Sequence, residues 1–155
     1  MKKLCLLVLL GIFSLQVSAS ELKLRTNLFA NLFSIYNAGV EFKTSEKYSL
    51  EANFWNTSSS STEDYEGSSL TKYGILGRAY NKKRNAYFGI GVAVLASSAG
   101  DIQTEDATAT MLDLKVGQDF SVTEAGNVTL GYSVGTLFSQ GGHLPNFGFN
   151  LTYKI

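Results

Sequence analysis

Cysteine, proline and histidine are almost missing from this chain of 155 residues, which holds one of each. The single cysteine, Cys5, lies in an apolar opening segment, so the remainder can form no disulfide and no thiolate metal site. Its position straight after Lys3-Leu4 is not that of a lipid-modified cysteine, and no lipid anchor is expected. Charge of one sign is also lacking: 13 basic residues balance 13 acidic ones, which excludes the basic footprint of a nucleic-acid binder. After position 19 there is no apolar run long enough for a transmembrane helix. Any membrane crossing must then be made of strands.

What is present begins with an export pattern. Met1-Lys2-Lys3 gives a positive start, residues 4–17 an apolar stretch, and Val17-Ser18-Ala19 a small-residue cleavage site. Residues 1–19 are therefore read as a secretory signal peptide and residues 20–155 as the mature domain. Cleavage removes Lys2 and Lys3 and leaves 11 basic against 13 acidic residues. The rival reading, a retained anchoring helix, suffers from a short stretch interrupted by Gly11, Ser14 and Gln16.

The clearest pattern closes the chain. In residues 146–155, Phe147, Phe149, Leu151, Tyr153 and Ile155 alternate with Asn146, Gly148, Asn150, Thr152 and Lys154, which is the period of a strand. The same alternation recurs over residues 22–29, 37–44, 48–55, 70–80, 86–96, 108–120 and 128–138. Leu24 opposes Arg25, Val40 opposes Glu41, Leu50 opposes Glu51, Tyr73 opposes Lys72, Ile90 opposes Gly89, Leu114 opposes Lys115, and Tyr132 opposes Ser133. About eight strands of roughly ten residues match the length a tilted strand needs to cross a bilayer. The fold expected is all-β, an eight-stranded antiparallel up-and-down transmembrane barrel.

Connection lengths carry a second signal. Residues 45–47, 81–85 and 121–127 read as tight turns, and residues 56–69, 97–107 and 139–145 as longer polar loops. Outer-membrane barrels pair short periplasmic turns with longer outer loops, which would put both termini in the periplasm. The connection 30–36 breaks the rule, being apolar at Leu32, Phe33 and Ile35, and reads either as a loop or as an extension of the first hairpin. Tyr48, Tyr80, Phe120 and Tyr153 would ring the periplasmic interface, and Phe29, Tyr36, Phe54, Phe138 and Phe147 the outer one.

A soluble barrel such as a lipocalin-like carrier also alternates, but with its apolar face inward. Two features favour the membrane form. The polar face carries small residues suited to a cramped lumen, among them Gly89, Gly91, Gly131, Ser133, Gly135 and Gly148. The apolar face holds no charge in mid-strand, as burial in lipid requires.

Lys23, Arg25, Glu41, Lys43, Glu51, Lys72, Arg78, Asp113 and Lys115 all fall on the polar face. In a lumen only wide enough for side chains they must pair with one another or meet water, because an isolated buried charge is costly. A salt-bridged plug is the reading favoured over a narrow ion path lined by mixed charge. Acidic residues also gather in the loops, Glu63, Asp64 and Glu66 in one and Asp101, Glu105 and Asp106 in another. Their spacing matches no calcium loop, so solvated charge is expected there and no metal site or cofactor. A lipid-modifying hydrolase would need a serine beside His143, and Ser139 is the nearest in sequence. No Gly-x-Ser-x-Gly motif occurs, and no catalytic residue is assigned.

Three segments, Arg25-Thr26-Asn27-Leu28, Asn37-Ala38-Gly39-Val40-Glu41 and Lys47-Tyr48-Ser49-Leu50, resemble a family of small outer-membrane barrels known only as a domain of unknown function. That family shows Lys-Thr-Asn-Leu, Asn-Leu-Gly-Val-Glu and Lys-x-Trp-Ser-Leu in this order, and Arg25, Ala38 and Tyr48 depart from it. The resemblance implies a barrel similar in build to OmpX or the OmpA barrel, and it adds no activity, because the family has none assigned. Asn146, Gly148, Leu151 and Tyr153 also resemble the assembly signal of bacterial outer-membrane proteins, which implies recognition by the barrel-assembly machinery. The chain runs on past that signal to Lys154 and Ile155. The expectation is thus a non-enzymatic protein of the Gram-negative outer membrane with a structural or surface-interacting role. Its expected partners are outer-membrane lipid, lipopolysaccharide and an extracellular partner unknown from sequence, with no nucleic acid among them. A narrow pore, a lipid-modifying enzyme and a soluble lipid carrier remain the alternatives.

Overall fold

A computed structural model of the protein describes residues 21–33, 35–58, 67–83, 85–98 and 107–155. The segments that alternate in sequence form eight strands: β1 (Leu22–Asn27), β2 (Tyr36–Lys43), β3 (Tyr48–Ser58), β4 (Ser69–Tyr80), β5 (Ala86–Ser98), β6 (Ala107–Ser121), β7 (Val128–Ser139) and β8 (Gly142–Lys154). Each pairs antiparallel with its sequence neighbour, and β1 pairs with β8 to close the barrel. Closure leaves no edge strand along the paired length, which satisfies the backbone without help from solvent. The expected fold, an all-β eight-stranded antiparallel barrel, is the one observed.

The two faces of the wall differ in chemistry. Ten polar or charged side chains are buried among the described residues, against six apolar or aromatic ones. The interior is therefore predominantly polar, while large apolar side chains such as Phe88, Ile90, Val92, Tyr132 and Phe149 stand exposed outside. Period-two geometry explains how: Tyr73 and Ile75 point out because Lys72, Leu76 and Arg78 point in. Small residues on the inner face make room for large ones. A Cβ on Gly89 would come within 2.9 Å of the Leu76 side chain, and one on Gly117 within 2.5 Å of the Tyr87 ring.

Three expectations need correction. The segment after β1 is neither a loop nor a longer hairpin. It forms a short helix, α1 (Leu28–Leu32), because Asn27 turns from strand to N-cap and its side chain accepts the Ala30 N–H at 3.2 Å. Residues 139–145 are not a long loop either, since Ser139 pairs with Gly142 across a two-residue turn and His143, Leu144 and Pro145 belong to β8. Gly142, which follows the two turn residues and opens β8, has a positive φ of 141°. Finally, Tyr80 does not join the aromatic ring expected at the periplasmic interface. It shares the parity of Arg78 and is buried inside.

β1 is the short member of the wall. It meets β8 only from Lys23↔Lys154 to Asn27↔Asn150, whereas β7 meets β8 over the full run from Val128↔Tyr153 to Ser139↔Gly142. The far half of β8 and residues 36–38 of β2 therefore have no β1 between them. Side chains stitch the upper end of β1 in place of a ladder. Asn27 Nδ2 donates to the Phe147 carbonyl at 3.0 Å, its Oδ1 accepts the Phe149 N–H at 3.2 Å, and Asn37 Nδ2 donates to the Asn27 carbonyl at 3.0 Å.

Candidate functional site

The register places charged inner-face residues at two levels of the lumen. At the first, Glu41 on β2 lies directly opposite Glu51 on β3. Two like charges in such a cross-strand pair repel, so cations must lie between them. Arg25 and Arg78 do. Arg25 Nη2 donates to Glu41 Oε2 at 3.0 Å and to Asp119 Oδ2 at 3.0 Å, with its Nε 3.7 Å from Glu51 Oε2. Arg78 donates to Glu41 Oε2 at 3.3 Å through Nη1 and to Glu51 Oε2 through Nη2.

Aromatic rings complete this level. Tyr80 Oη donates to Glu41 Oε1 at 2.6 Å, so that one carboxylate accepts from two arginines and a phenol. The Arg78 guanidinium lies over the Tyr87 ring at 4.2 Å, a cation–π contact that is strongest where water is excluded. Asn53 Nδ2 donates to Glu51 Oε1 at 3.1 Å. Fork geometry suits arginine to this task, since a lysine could not bridge two carboxylates and stack at once.

The second level holds Lys72, whose Nζ donates to Asp113 Oδ2 at 2.6 Å with both side chains 1 % exposed. Lys115 lies near Asp113 and Lys72, half-buried, and makes no hydrogen bond or ion pair among the described residues. The two levels together contain Arg25, Lys72, Arg78 and Lys115 against Glu41, Glu51, Asp113 and Asp119. Four cations thus meet four anions, a neutral set that lowers the cost of burial.

A family model described as "Protein of unknown function (DUF3575)" matches residues 4–134, most of the chain. The chain belongs to the DUF3575 family. Every charged residue of the two interior levels lies within the matched stretch, whereas Asn146, Gly148, Leu151 and Tyr153 lie beyond it. No curated protein and no solved structure gives a significant match. This DUF3575 barrel must accordingly be read from its own residues.

The sequence placed nine charges on the inner face, and the structure sets them in three groups. Arg25, Glu41, Glu51 and Arg78 meet at the first level, and Lys72, Asp113 and Lys115 lie at the second. Lys23 and Lys43 instead join Glu21 at the barrel end that carries the C-terminus, at 3.3 and 3.8 Å, with Lys154 Nζ 3.0 Å from the same carboxylate. Asp119, Tyr80, Tyr87 and Glu21 were missed. Asp119 has the parity of Asp113 and Lys115, so carrying the alternation to the end of β6 finds it. On β8, Asn146 and Gly148 face inward and Tyr153 outward, as their alternation requires. Ser139 and His143 are not brought together: the Ser139 hydroxyl accepts the Gly141 N–H at 3.2 Å, and the His143 ring lies 6.2 Å from that of Phe138. The acidic loop residues 63, 64, 66, 101, 105 and 106, and the proposed signal peptide, lie outside the described residues.

The Glu21 cluster gives a pH prediction. Burial pushes the Glu21 carboxyl up, but the Lys154 and Lys23 ammonium groups outweigh it and hold the carboxyl below its ordinary range. A lowered folded pKa contributes stability above the unfolded value that is lost as pH falls through the folded one. Glu21→Gln is therefore expected to lower the urea midpoint at pH 7, and the gap to wild type is expected to close on acidification below the carboxylate range. An equal gap at both pH values would show that the carboxylate charge is not what matters.

Proposed function

We propose that this chain is a non-enzymatic β-barrel protein of the Gram-negative outer membrane, its lumen plugged by charged side chains and its loops offered to surface partners. The observation that carries the reading is the reversed polarity of the wall, with ionic residues inside and large apolar residues outside. In water such an exterior would be a continuous adhesive patch. In a bilayer it is the solvent-matched face, and along the paired length the closed ladder satisfies the backbone groups that lipid could not. Exposed Tyr48, Phe120 and Tyr153 near one end, and Phe29, Tyr36, Phe138 and Phe147 near the other, supply rings where a membrane interface favours them.

The plug follows from pairing. Arg25, Arg78, Glu41, Glu51, Tyr80 and Tyr87 span the lumen at one level, each held by at least one other, so a hydrated ion would have to break contacts to pass. The expected result is a heat-dependent gel shift of the protein from isolated outer membranes, and no steady conductance from the purified barrel in a planar bilayer. A protein found only in the soluble periplasmic fraction would overturn the membrane reading. A steady conductance in the wild type that changes in Arg78→Ala would overturn the plug and make the chain a narrow pore.

A further inference from the structure

The shortness of β1 has a geometric result. Above Asn27 the wall runs from β8 to β2 with α1 lying across the space, and a cavity of about 400 Å³ occupies it. Its lining mixes residues that a continuous strand wall would keep apart. Lys72, Lys115, Ser133 and Asn150 belong to the inner face, whereas Ala38, Pro145 and Phe147 belong to the outer one. The cavity therefore meets both faces of the wall where β1 ends.

The edge of β8 that borders this space is built to be left unpaired. The Phe149 N–H and the Phe147 carbonyl both point toward β1, where the Asn27 side chain takes them. By strand periodicity the backbone nitrogen of Pro145 points the same way, beyond the reach of β1. The sole proline of the chain thus stands where an N–H would have no ladder partner. The interior end of the cavity is polar: Lys115 makes no hydrogen bond or ion pair among the described residues, and Asn146 Nδ2 and Asn53 Oδ1 are buried there without a hydrogen-bond partner. Its outer end is apolar, with Ile35, Leu144, Pro145 and Phe147.

We propose that this gap is a lateral binding site for a single-chain amphiphile with an anionic headgroup. The head sits in the lumen beside Lys115 and the asparagine amides, and the alkyl chain leaves over Phe147 toward the apolar exterior. The volume falls in the range of small-molecule sites, about 300–1,000 Å³, and a cationic inner end with an apolar mouth selects a carboxylate or phosphate on one alkyl tail. The inference rests on the barrel standing in a bilayer, and it goes beyond a purely structural role by giving the lumen a ligand drawn sideways from the membrane.

Trp55, the only tryptophan, lines the cavity and reports on it directly. The mature chain is reconstituted in phosphatidylcholine vesicles and titrated with stearate carrying a nitroxide near its carboxylate, which quenches indole on contact. Quenching is expected to saturate and to exceed that by phosphatidylcholine with the label at the same depth. Lys115→Met is expected to raise the half-saturating concentration about tenfold, the loss of roughly one charge-assisted hydrogen bond. Ala30→Phe, which fills the gap from α1, is expected to abolish saturation while the heat-dependent gel shift is retained. Displacement of the probe by unlabelled palmitate or by dodecyl phosphate supports the site and tells which head it prefers, and displacement by neither overturns it. Quenching that grows linearly and equals that by labelled phosphatidylcholine also overturns the site. Failure of the barrel to enter vesicles at all would instead overturn the membrane reading beneath it.

Discussion

Arg78→Ala is expected to destabilise the folded barrel by about 3–5 kcal/mol, the usual cost of removing one partner from a buried ionic group. Three effects add. Glu41 and Glu51, opposed in register, lose the cation between them and keep only Arg25, whose Nε lies 3.7 Å from Glu51. The Tyr87 ring loses the guanidinium 4.2 Å above it. A side chain 1 % exposed is replaced by a methyl group, which leaves space for water at the level that blocks the lumen. Urea unfolding of the barrel in vesicles, read by the heat-dependent gel band, measures the loss. Glu51→Gln in the same chain should recover part of it, because it removes the carboxylate left with only the longer contact to Arg25 as its ion pair. A loss under about 1 kcal/mol, the value of an exposed pair, would mean that these ends already meet water.

Most of this level could be found from the sequence, and the reason is geometric. Alternation is the strongest signal a strand emits, and a slip of one residue would have moved Arg25, Glu41 and Arg78 together onto the apolar face. Lys72 and Arg78 came out on the inner face even though the fourth strand is the least regular in sequence. Tyr80 failed because a ring near a strand end suits an interfacial belt as well as an interior, and its parity with Arg78, which its hydrogen bond to Glu41 bears out, was not carried to the end of the strand. Partners failed for another reason: which arginine meets which carboxylate depends on barrel closure, as the contact between Arg25 on β1 and Asp119 on β6 shows.

The truncation of β1 was the least legible feature. Residues 28–36 are apolar enough to pass for strand, and the signal that they are not lies in Asn27, an N-cap whose side chain also pairs with β8. The far end of β8 was hidden by Pro145, which reads as a loop residue unless the neighbouring strand is known to be missing. Both errors have one physical source. A local pattern describes a strand with two neighbours, and this part of the wall has only one.

Asp113→Asn is the second change with a large expected effect, about 3–5 kcal/mol. Asp113 acts on two ammonium groups: Lys72, bonded at 2.6 Å, and Lys115, which makes no hydrogen bond or ion pair among the described residues. Without its charge the eight-residue interior set carries one excess cation in a space that Lys72 shares with no solvent. Two rescues separate the possible owners of the interaction. If the 2.6 Å pair carries the energy, Lys72→Met in the Asp113→Asn chain restores most of the lost stability, as replacing a whole buried pair by apolar atoms does in other proteins. Lys115→Met in the same chain should restore less, because its head reaches the cavity above. A double-mutant cycle over the three positions gives the coupling of each lysine to Asp113. Coupling to Lys72 well above that to Lys115 would leave Lys115 free to meet a ligand. The reverse order would tie Lys115 to Asp113 and remove the cation from the lateral site, while coupling near zero for both would place this level of the lumen in contact with water and confine the plug to Arg25, Arg78 and their carboxylates.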